Sequence, residues 1–133
     1  MSEVLPAATV LIVDDDRAVA GAFASALTSV GYQIHIALSA EDALRELEAQ
    51  RPDAIILDFR MPLINGLGFL YRLRERPEYR RTPVLLVTGE SFTDELLVEA
   101  RDLGAEFRLK PIGLQDLQDV IRRLLATVPP ESR

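Results

Sequence analysis

Acidic side chains follow two apolar runs of this sequence at the point where each run ends. Three aspartates at positions 14–16 come directly after Thr9–Val13, and Asp58 comes directly after Ala54–Leu57. Pro62 prevents the second run from continuing as a central strand. Such short apolar runs are typical of strands buried on both faces, and ligands bind outside the carboxyl ends of these strands. The pattern therefore predicts a site centred on Asp58.

Three or more carboxylates gathered in one crevice repel one another. At about 4 Å and an effective dielectric constant of about 20, each like-charged pair costs on the order of 4 kcal/mol. A hard divalent cation with oxygen ligands would neutralise the cluster, and Mg²⁺ suits a site with few protein ligands. Two later runs end on Thr88 and Lys110. A nucleophilic carboxylate, a cation, a hydroxyl and an ammonium together match phosphoryl transfer to an aspartate.

Lys110 is the one lysine among 15 basic residues, and all the others are arginines. A lysine presents a compact, point-like ammonium, whereas an arginine presents a planar fork of donors. This bias favours a specific role for Lys110 in the predicted site.

Strand-like and helical patterns alternate five times along the chain. Parallel neighbours need right-handed crossover helices, so the alternation predicts an α/β fold with a doubly wound five-stranded parallel sheet and five flanking helices. The flavodoxin-like strand order 2-1-3-4-5 is the natural choice, and it makes the tips of strands one and three neighbours. The predicted strands are residues 9–13, 33–37, 54–57, 84–87 and 106–109.

The predicted helices carry start and stop signals. Asp16 is expected to cap the first helix, and Gly31 is expected to end it in the left-handed conformation. Ser39 opens a sequence that is typical of a capping box. Gly104 closes a fourth helix that starts near Thr93. The arginines of the third helix (Arg72, Arg74 and Arg76) are interpreted as a solvated face.

The length of 133 residues and the 48% hydrophobic content indicate one domain, expected over residues 9–127 with an extension at 1–8 and a tail or linker start at 128–133. The net charge of −6 makes nucleic acid an unexpected direct partner. The absence of cysteine excludes disulfides and thiolate metal sites. No secretory signal is visible, and no apolar run approaches the roughly 18 residues of a membrane span. The expected location is cytoplasmic.

Short motifs in this order and at these spacings resemble the receiver domain of two-component response regulators. The likeness extends over nearly the whole chain, from about residue 10 to residue 125. The motifs that carry it are Val13-Asp14-Asp15-Asp16, Leu57-Asp58-Phe59-Arg60-Met61-Pro62 with Gly66, Val87-Thr88-Gly89 and Leu109-Lys110-Pro111.

The resemblance implies a role for each of these acids. Asp58 would be the phosphoacceptor. Asp15 would bind Mg²⁺ directly and Asp14 mostly through water, and the backbone carbonyl of Arg60 would be a further ligand.

The resemblance also implies how the phosphoryl group would be detected. Thr88 would bond a phosphoryl oxygen and move inward, and Lys110 would pair with the phosphoryl group. The bond from Lys110 to Pro111 is commonly cis in this family. Phe107 holds the switch aromatic position, where tyrosine is common, and it has no hydroxyl to present to a partner.

Two variable positions flank the phosphoryl group in this family, and Arg60 and Glu90 occupy them here. We hypothesise that the two side chains pair across the mouth of the site and hinder the hydrolytic water. Gly89 stands where alanine is more common, which should leave access to Asp58 open.

The predicted function is a phosphoacceptor switch that takes a phosphoryl group from a sensor histidine kinase or a phosphotransferase. The domain would catalyse its own phosphorylation and dephosphorylation, but its output would be binding. The output surface would be the face formed by helix 4, strand 5 and helix 5, which would bind a downstream protein or a second copy. The apolar run at residues 96–98 and the wide stripe of the last helix agree with such a surface, and equally with extra core.

Several alternatives compete with this hypothesis. One alternative is a pseudo-receiver that serves only as a protein-interaction module. Another is that the chain is the receiver part of a larger regulator or hybrid kinase. A phosphatase of the haloacid dehalogenase type needs an acid two residues after the nucleophile, where this sequence has Arg60. A flavin or nucleotide binder needs a glycine-rich phosphate loop after the first strand, and none is present.

Overall fold

The computed structural model of the chain describes residues 7–58, 66–89 and 94–127. Within these ranges five strands alternate with five helices, and a short 3₁₀ turn at Pro77–Tyr79 precedes the fourth strand. The elements are β1 Thr9–Val13, α1 Arg17–Thr28, β2 Gln33–Ala37, α2 Ala40–Gln50, β3 Ala54–Leu57, α3 Gly66–Glu75, β4 Val84–Thr88, α4 Asp94–Asp102, β5 Ala105–Leu109 and α5 Leu114–Ala126.

All strand pairs are parallel, and the sheet order is β2-β1-β3-β4-β5, which confirms the predicted flavodoxin-like topology. Val13 of β1 lies beside Leu57 of β3 in the register. Asp14 and Asp58, which follow these two residues, therefore leave the sheet at the same level. The register of β4 and β5 places Thr88 beside Leu109.

The apolar strands are buried because helices cover both faces of the sheet. Alternate residues of β1 contribute to two core clusters: Leu11 and Val13 pack on the side of α2, α3 and α4, whereas Val10 and Ile12 pack on the side of α1 and α5. The central strands β1, β3 and β4 carry the most completely buried residues. These strands fix the positions at which the polar residues of the carboxyl edge begin.

The predicted helix caps are present. The side chain of Asp16 accepts hydrogen bonds from the backbone N–H groups of Ala18 and Val19, at 2.9 and 3.2 Å. Ser39 accepts one from the N–H of Asp42, at 3.1 Å. Gly31 has a left-handed φ of +104°, but α1 ends at Thr28. The backbone N–H of Gly31 nevertheless bonds to the carbonyl of Thr28 at 3.0 Å, and that of Tyr32 bonds to the carbonyl of Leu27 at 3.3 Å. These bonds are those of a helix C-cap with a left-handed glycine, so the prediction that Gly31 ends the helix is confirmed.

The third helix departs from its predicted solvated face at Arg74. This guanidinium is partly buried, and it donates hydrogen bonds to the carbonyls of Leu103 and Tyr79, at 2.7 and 2.6 Å. The prediction fails because the acceptors come from the end of α4 and from the 3₁₀ turn, which no local pattern places beside α3. Arg72 is exposed as predicted, and Arg76 lies 3.7 Å from Glu48.

Among the residues that the structure describes, no helix combines the length and apolar content that crossing a membrane requires.

Candidate functional site

Three carboxylates meet at the carboxyl edge of the sheet. Oxygen atoms of Asp14, Asp15 and Asp58 all lie within 4.8 Å of one another. Asp14 and Asp58 are buried, at 2% and 8% exposure, whereas Asp15 is exposed. The strand register explains the meeting, since Asp58 donates its backbone N–H to the carbonyl of Val13 at 2.8 Å. The predicted convergence of these three acids is therefore observed.

Asp14 is held by hydrogen bonds at both of its carboxylate oxygens. Oδ1 accepts from the backbone N–H of Asp16 at 2.9 Å, and Oδ2 accepts from the ammonium of Lys110 at 2.9 Å. Its own backbone N–H bonds to the carbonyl of Ala37 on the outer strand, at 3.1 Å. These contacts fix the orientation of the buried carboxylate.

Lys110 reaches the cluster from the end of β5. Its Nζ lies 2.9 Å from Asp14 Oδ2 and 3.8 Å from Asp58 Oδ2. Its backbone N–H bonds to the carbonyl of Thr88 at 2.7 Å, which ties the tips of β4 and β5 together. The bond from Lys110 to Pro111 is cis, as the resemblance implied. The single lysine of the chain thus contacts two of the three acids, Asp14 and Asp58.

The charge balance of the cluster fits a divalent cation. When ionised, the three carboxylates and the one ammonium leave two negative charges. Hard oxygen donors are the ligands that Mg²⁺ prefers, and the exposed Asp15 leaves the group open to solvent on one side. The described donor set can therefore hold such an ion.

Thr88 ends β4 beside this cluster and is 1% exposed. In the register, Leu57 lies beside Leu86, so Asp58 emerges next to the last residues of β4. The next residue, Gly89, is exposed, and a methyl group added to it would lie 4.0 Å from Cβ of Lys110. An alanine would therefore fit here as well.

Phe107 lies on β5 beside Leu86, on the sheet face that α4 covers. It is partly buried and packs against the core cluster of that face. A groove between α4 and β5 is lined by Leu97, Ala100 and Phe107, among others. The predicted switch aromatic is thus placed between the core and α4.

Burial in the core accounts for only some of the apolar side chains on the face formed by α4, β5 and α5. In α5, Leu117, Val120, Ile121 and Leu125 are buried, as extra core would require. Exposed apolar side chains nevertheless remain on all three elements: Val98, Leu109 and Leu114 are 53%, 55% and 46% exposed.

Charged groups accompany these apolar side chains. Glu106 pairs with Arg108 at 2.6 Å and with Arg123 of α5. The hydrogen bond from Arg123 is the main cause of the lowered pKa of Glu106.

Two residues of the predicted site, Arg60 and Glu90, lie outside the described residues. The metal-binding carbonyl of Arg60 and the hypothesised pairing of Arg60 with Glu90 therefore stay predictions.

The sequence profile of the response regulator receiver domain matches residues 10–122 of this chain. The chain belongs to this family. The match runs through β1, where the acids begin, and beyond Lys110, so this receiver domain contains every described residue of the site.

Named relatives support the assignment. The receiver is 36% identical over 123 residues to the response regulator MprA of Mycobacterium avium, and the match covers 92% of this chain and 53% of MprA. MprA of Mycobacterium tuberculosis is also 36% identical, with 52% of it covered. The chain thus spans about half the length of the curated relatives it matches.

Two solved structures share the fold over nearly their full length. The chemotaxis protein CheY4 of Vibrio cholerae superposes with a TM-score of 0.83 at 30% identity, covering 90% of this chain and 99% of that one. The signal receiver domain of a histidine kinase from Syntrophus aciditrophicus superposes with a TM-score of 0.83 at 33% identity, and the match covers 93% of this chain and 94% of that domain. Receivers of similar structure thus include both a chemotaxis protein and part of a kinase.

Sequence reasoning missed two contacts of this receiver that join α3 to α4. The hydroxyl of Tyr71 donates to Glu99, and Arg74 donates to Leu103. The partners lie 28 and 29 residues apart in the chain. Neither pair belongs to a family motif, so no signal in the sequence could have found them.

Proposed function

We propose that this receiver accepts a phosphoryl group on Asp58 from the phosphohistidine of a sensor histidine kinase or a phosphotransferase. The observation that carries the proposal is the meeting of three carboxylates within 4.8 Å, with the Lys110 ammonium 3.8 Å from Asp58. The cluster places like charges close together, and a nucleophile that must receive a phosphoryl group explains why it exists.

In the proposed reaction, a carboxylate oxygen of Asp58 attacks the phosphorus atom of the donor. The new O–P bond forms as the P–N bond breaks, and the electron pair returns to the imidazole nitrogen of the donor. Water later attacks the same phosphorus and restores the carboxylate with release of inorganic phosphate. The domain thereby acts as a switch that catalyses both its own phosphorylation and its own dephosphorylation.

Mg²⁺ would be held by Asp14, Asp15 and Asp58, with the backbone carbonyl of Arg60 as the further ligand we propose. When bound, the ion supplies positive charge that offsets the charge of the carboxylates and of the incoming phosphoryl oxygens. Asp14 is kept in place for this role by its bonds to the Asp16 N–H and to Lys110.

Lys110 and Thr88 would detect the phosphoryl group. The Lys110 ammonium would exchange part of its contact with Asp14 for a phosphoryl oxygen, since it already lies between the two aspartates. Thr88 would donate its hydroxyl to another oxygen and move inward. Phe107, which lies on the same sheet face, would then change its position beneath α4 and alter the face of α4, β5 and α5.

That altered face would bind a downstream protein or a second copy of the receiver. Its exposed apolar residues, Val98, Leu109 and Leu114, support this proposal. At the entrance to the site we propose that Arg60 and Glu90 hinder the hydrolytic water. An exposed pair of this kind contributes at most about 1 kcal/mol, so its loss should speed dephosphorylation by less than about tenfold.

The proposal is tested by incubating the protein with acetyl phosphate and Mg²⁺ and measuring the intact mass. We expect the wild type to gain one phosphoryl group, and we expect EDTA or the Asp58→Asn substitution to abolish the gain. Asp53→Asn is the matched control, because Asp53 precedes β3 at the opposite edge of the sheet. A wild type that gains no mass, or an Asp58→Asn variant that gains as much, would contradict the proposal and favour a pseudo-receiver that acts only by docking.

A further inference from the structure

Helix α4 has less apolar anchoring than any other helix in the described part of the chain. It buries one residue, Ala100, whereas each of the other four helices buries at least three. Leu96 and Leu103 are only partly buried against the core. The groove between α4 and β5 further reduces the packing on that side. Because apolar burial is the main force that positions a helix, α4 depends on other contacts for its position.

Those contacts come from α3. Near the middle of α4, the hydroxyl of Tyr71 donates a hydrogen bond to the carboxylate of Glu99. Just beyond its last residue, the Nε of Arg74 donates to the carbonyl of Leu103 at 2.7 Å. Tyr71 and Arg74 are one helical turn apart, so both reach α4 from the same face of α3.

The Arg74 contact is built into the backbone around it. The second arm of the guanidinium donates to the carbonyl of Tyr79 at 2.6 Å, which orients the group from the 3₁₀ turn. Gly104 has a φ of +82°, and a Cβ at that position would lie 3.2 Å from Nη2 of Arg74. A glycine is thus needed here for its left-handed backbone and for the space that the guanidinium fills.

We infer that the Tyr71–Glu99 and Arg74–Leu103 hydrogen bonds form a latch that holds α4 against α3 in the unphosphorylated receiver. The inference rests on the proposed function, in which Phe107 changes its position beneath α4, and adds that α4 itself moves when this happens. Contacts that exist only in the unphosphorylated state stabilise that state, and by linkage they lower the affinity of the site for a phosphoryl group. Weakening the latch should therefore raise that affinity.

The test measures the binding of beryllofluoride, a phosphoryl analogue, by calorimetry in the presence of Mg²⁺. Tyr71→Phe removes the hydroxyl and keeps the ring, and we expect it to tighten binding by about two- to tenfold, the range expected for one net hydrogen bond. Tyr32→Phe is the matched control, because Tyr32 packs on the opposite face of the sheet. Its affinity should equal that of the wild type.

A second pair of variants identifies the acceptor. Glu99→Ala should tighten binding as much as Tyr71→Phe does, and the double variant should add nothing further, because both changes break one contact. Glu95→Ala removes an exposed carboxylate one turn earlier on α4 and should have no effect. Equal or weaker binding by Tyr71→Phe would overturn the latch alone, whereas a wild type that binds no beryllofluoride would overturn the proposed function as well.

Discussion

At the scale of single residues, the site concentrates more negative charge than its one ammonium neutralises. Lys110 contacts Asp14 at 2.9 Å and Asp58 at 3.8 Å, while Asp15 lies within 4.8 Å of both acids. Like charges at such distances are unfavourable even in a medium of intermediate dielectric constant. Repulsion among the three carboxylates is therefore expected to lower the free energy of unfolding of the metal-free protein.

This repulsion predicts that Asp58→Asn stabilises the metal-free receiver. Removing one of three neighbouring carboxylates should raise the free energy of unfolding by about 1–2 kcal/mol in EDTA, as measured by urea denaturation. Mg²⁺ should stabilise the wild type more than the variant. The control is Asp119→Asn, an exposed acid on α5 that should change stability by less than about 0.5 kcal/mol. Destabilisation by Asp58→Asn in EDTA would contradict this account of the cluster.

At the scale of elements, an ion pair between Glu106 and Arg123 joins β5 to α5. Glu106 receives hydrogen bonds from Arg123 and, with a smaller effect, from Arg108, and these lower its pKa below the ordinary 4.5. A group whose pKa is lowered by folding stabilises the protein above its unfolded pKa. That stabilisation is lost as the pH falls through the lowered pKa.

We therefore predict that Glu106→Gln destabilises the receiver at pH 7 by at most about 1 kcal/mol, because Arg123 is half-exposed and solvent screens the pair. The difference from the wild type should shrink as the pH falls below 4.5 and through the lowered pKa. Urea denaturation over this pH range measures it. Glu75→Gln, at an exposed position on α3, should show no such trend, and a difference for Glu106→Gln that persists in acid would contradict the prediction.

The contact between α3 and α4 also has a titration signature. The hydrogen bond to Glu99 is the main cause that raises the pKa of Tyr71 above 10.0, so the hydroxyl keeps donating until the pH passes that raised value. We predict that Glu99→Ala returns the pKa of Tyr71 towards 10.0, as followed by NMR of the tyrosine rings. Tyr79, whose pKa is raised mainly by burial, serves as an internal reference that should not move. If the pKa of Tyr71 does not change, the hydrogen bond between Tyr71 and Glu99 is absent in solution.

The elements show what a sequence can and cannot predict. The first two strands were predicted at their observed bounds, because apolar β-branched runs and flanking turn residues are local signals. The aspartates and Lys110 were predicted to meet because parallel strands end at one edge. Arg74 was misplaced on a solvated face because its acceptors are set by tertiary packing.

At the scale of the whole molecule, three exposed apolar side chains lie on the side of the receiver formed by α4, β5 and α5. Val98, Leu109 and Leu114 come from α4, β5 and the start of α5, and each is about half-exposed. Phe107 lies next to this side, between the core and α4. In the function we propose, a change at Asp58 would reach this surface through Phe107.

We predict that beryllofluoride with Mg²⁺ makes the receiver dimerise through this face, as measured by light scattering. Val98→Glu should keep it monomeric because the charge would lose its water on association. Val30→Glu, at an exposed position after α1, should dimerise as the wild type does. Monomers in every case would exclude the homodimer and leave a different protein as the partner.

The central claim is that Asp58 forms an acyl phosphate, and borohydride trapping tests it most directly. Borohydride reduces an aspartyl phosphate to homoserine, which tandem mass spectrometry locates in the chain. After treatment with acetyl phosphate and Mg²⁺, the account predicts homoserine at position 58 and no conversion of Asp14 or Asp15. Homoserine at either of those positions, or its absence from position 58, would contradict the account.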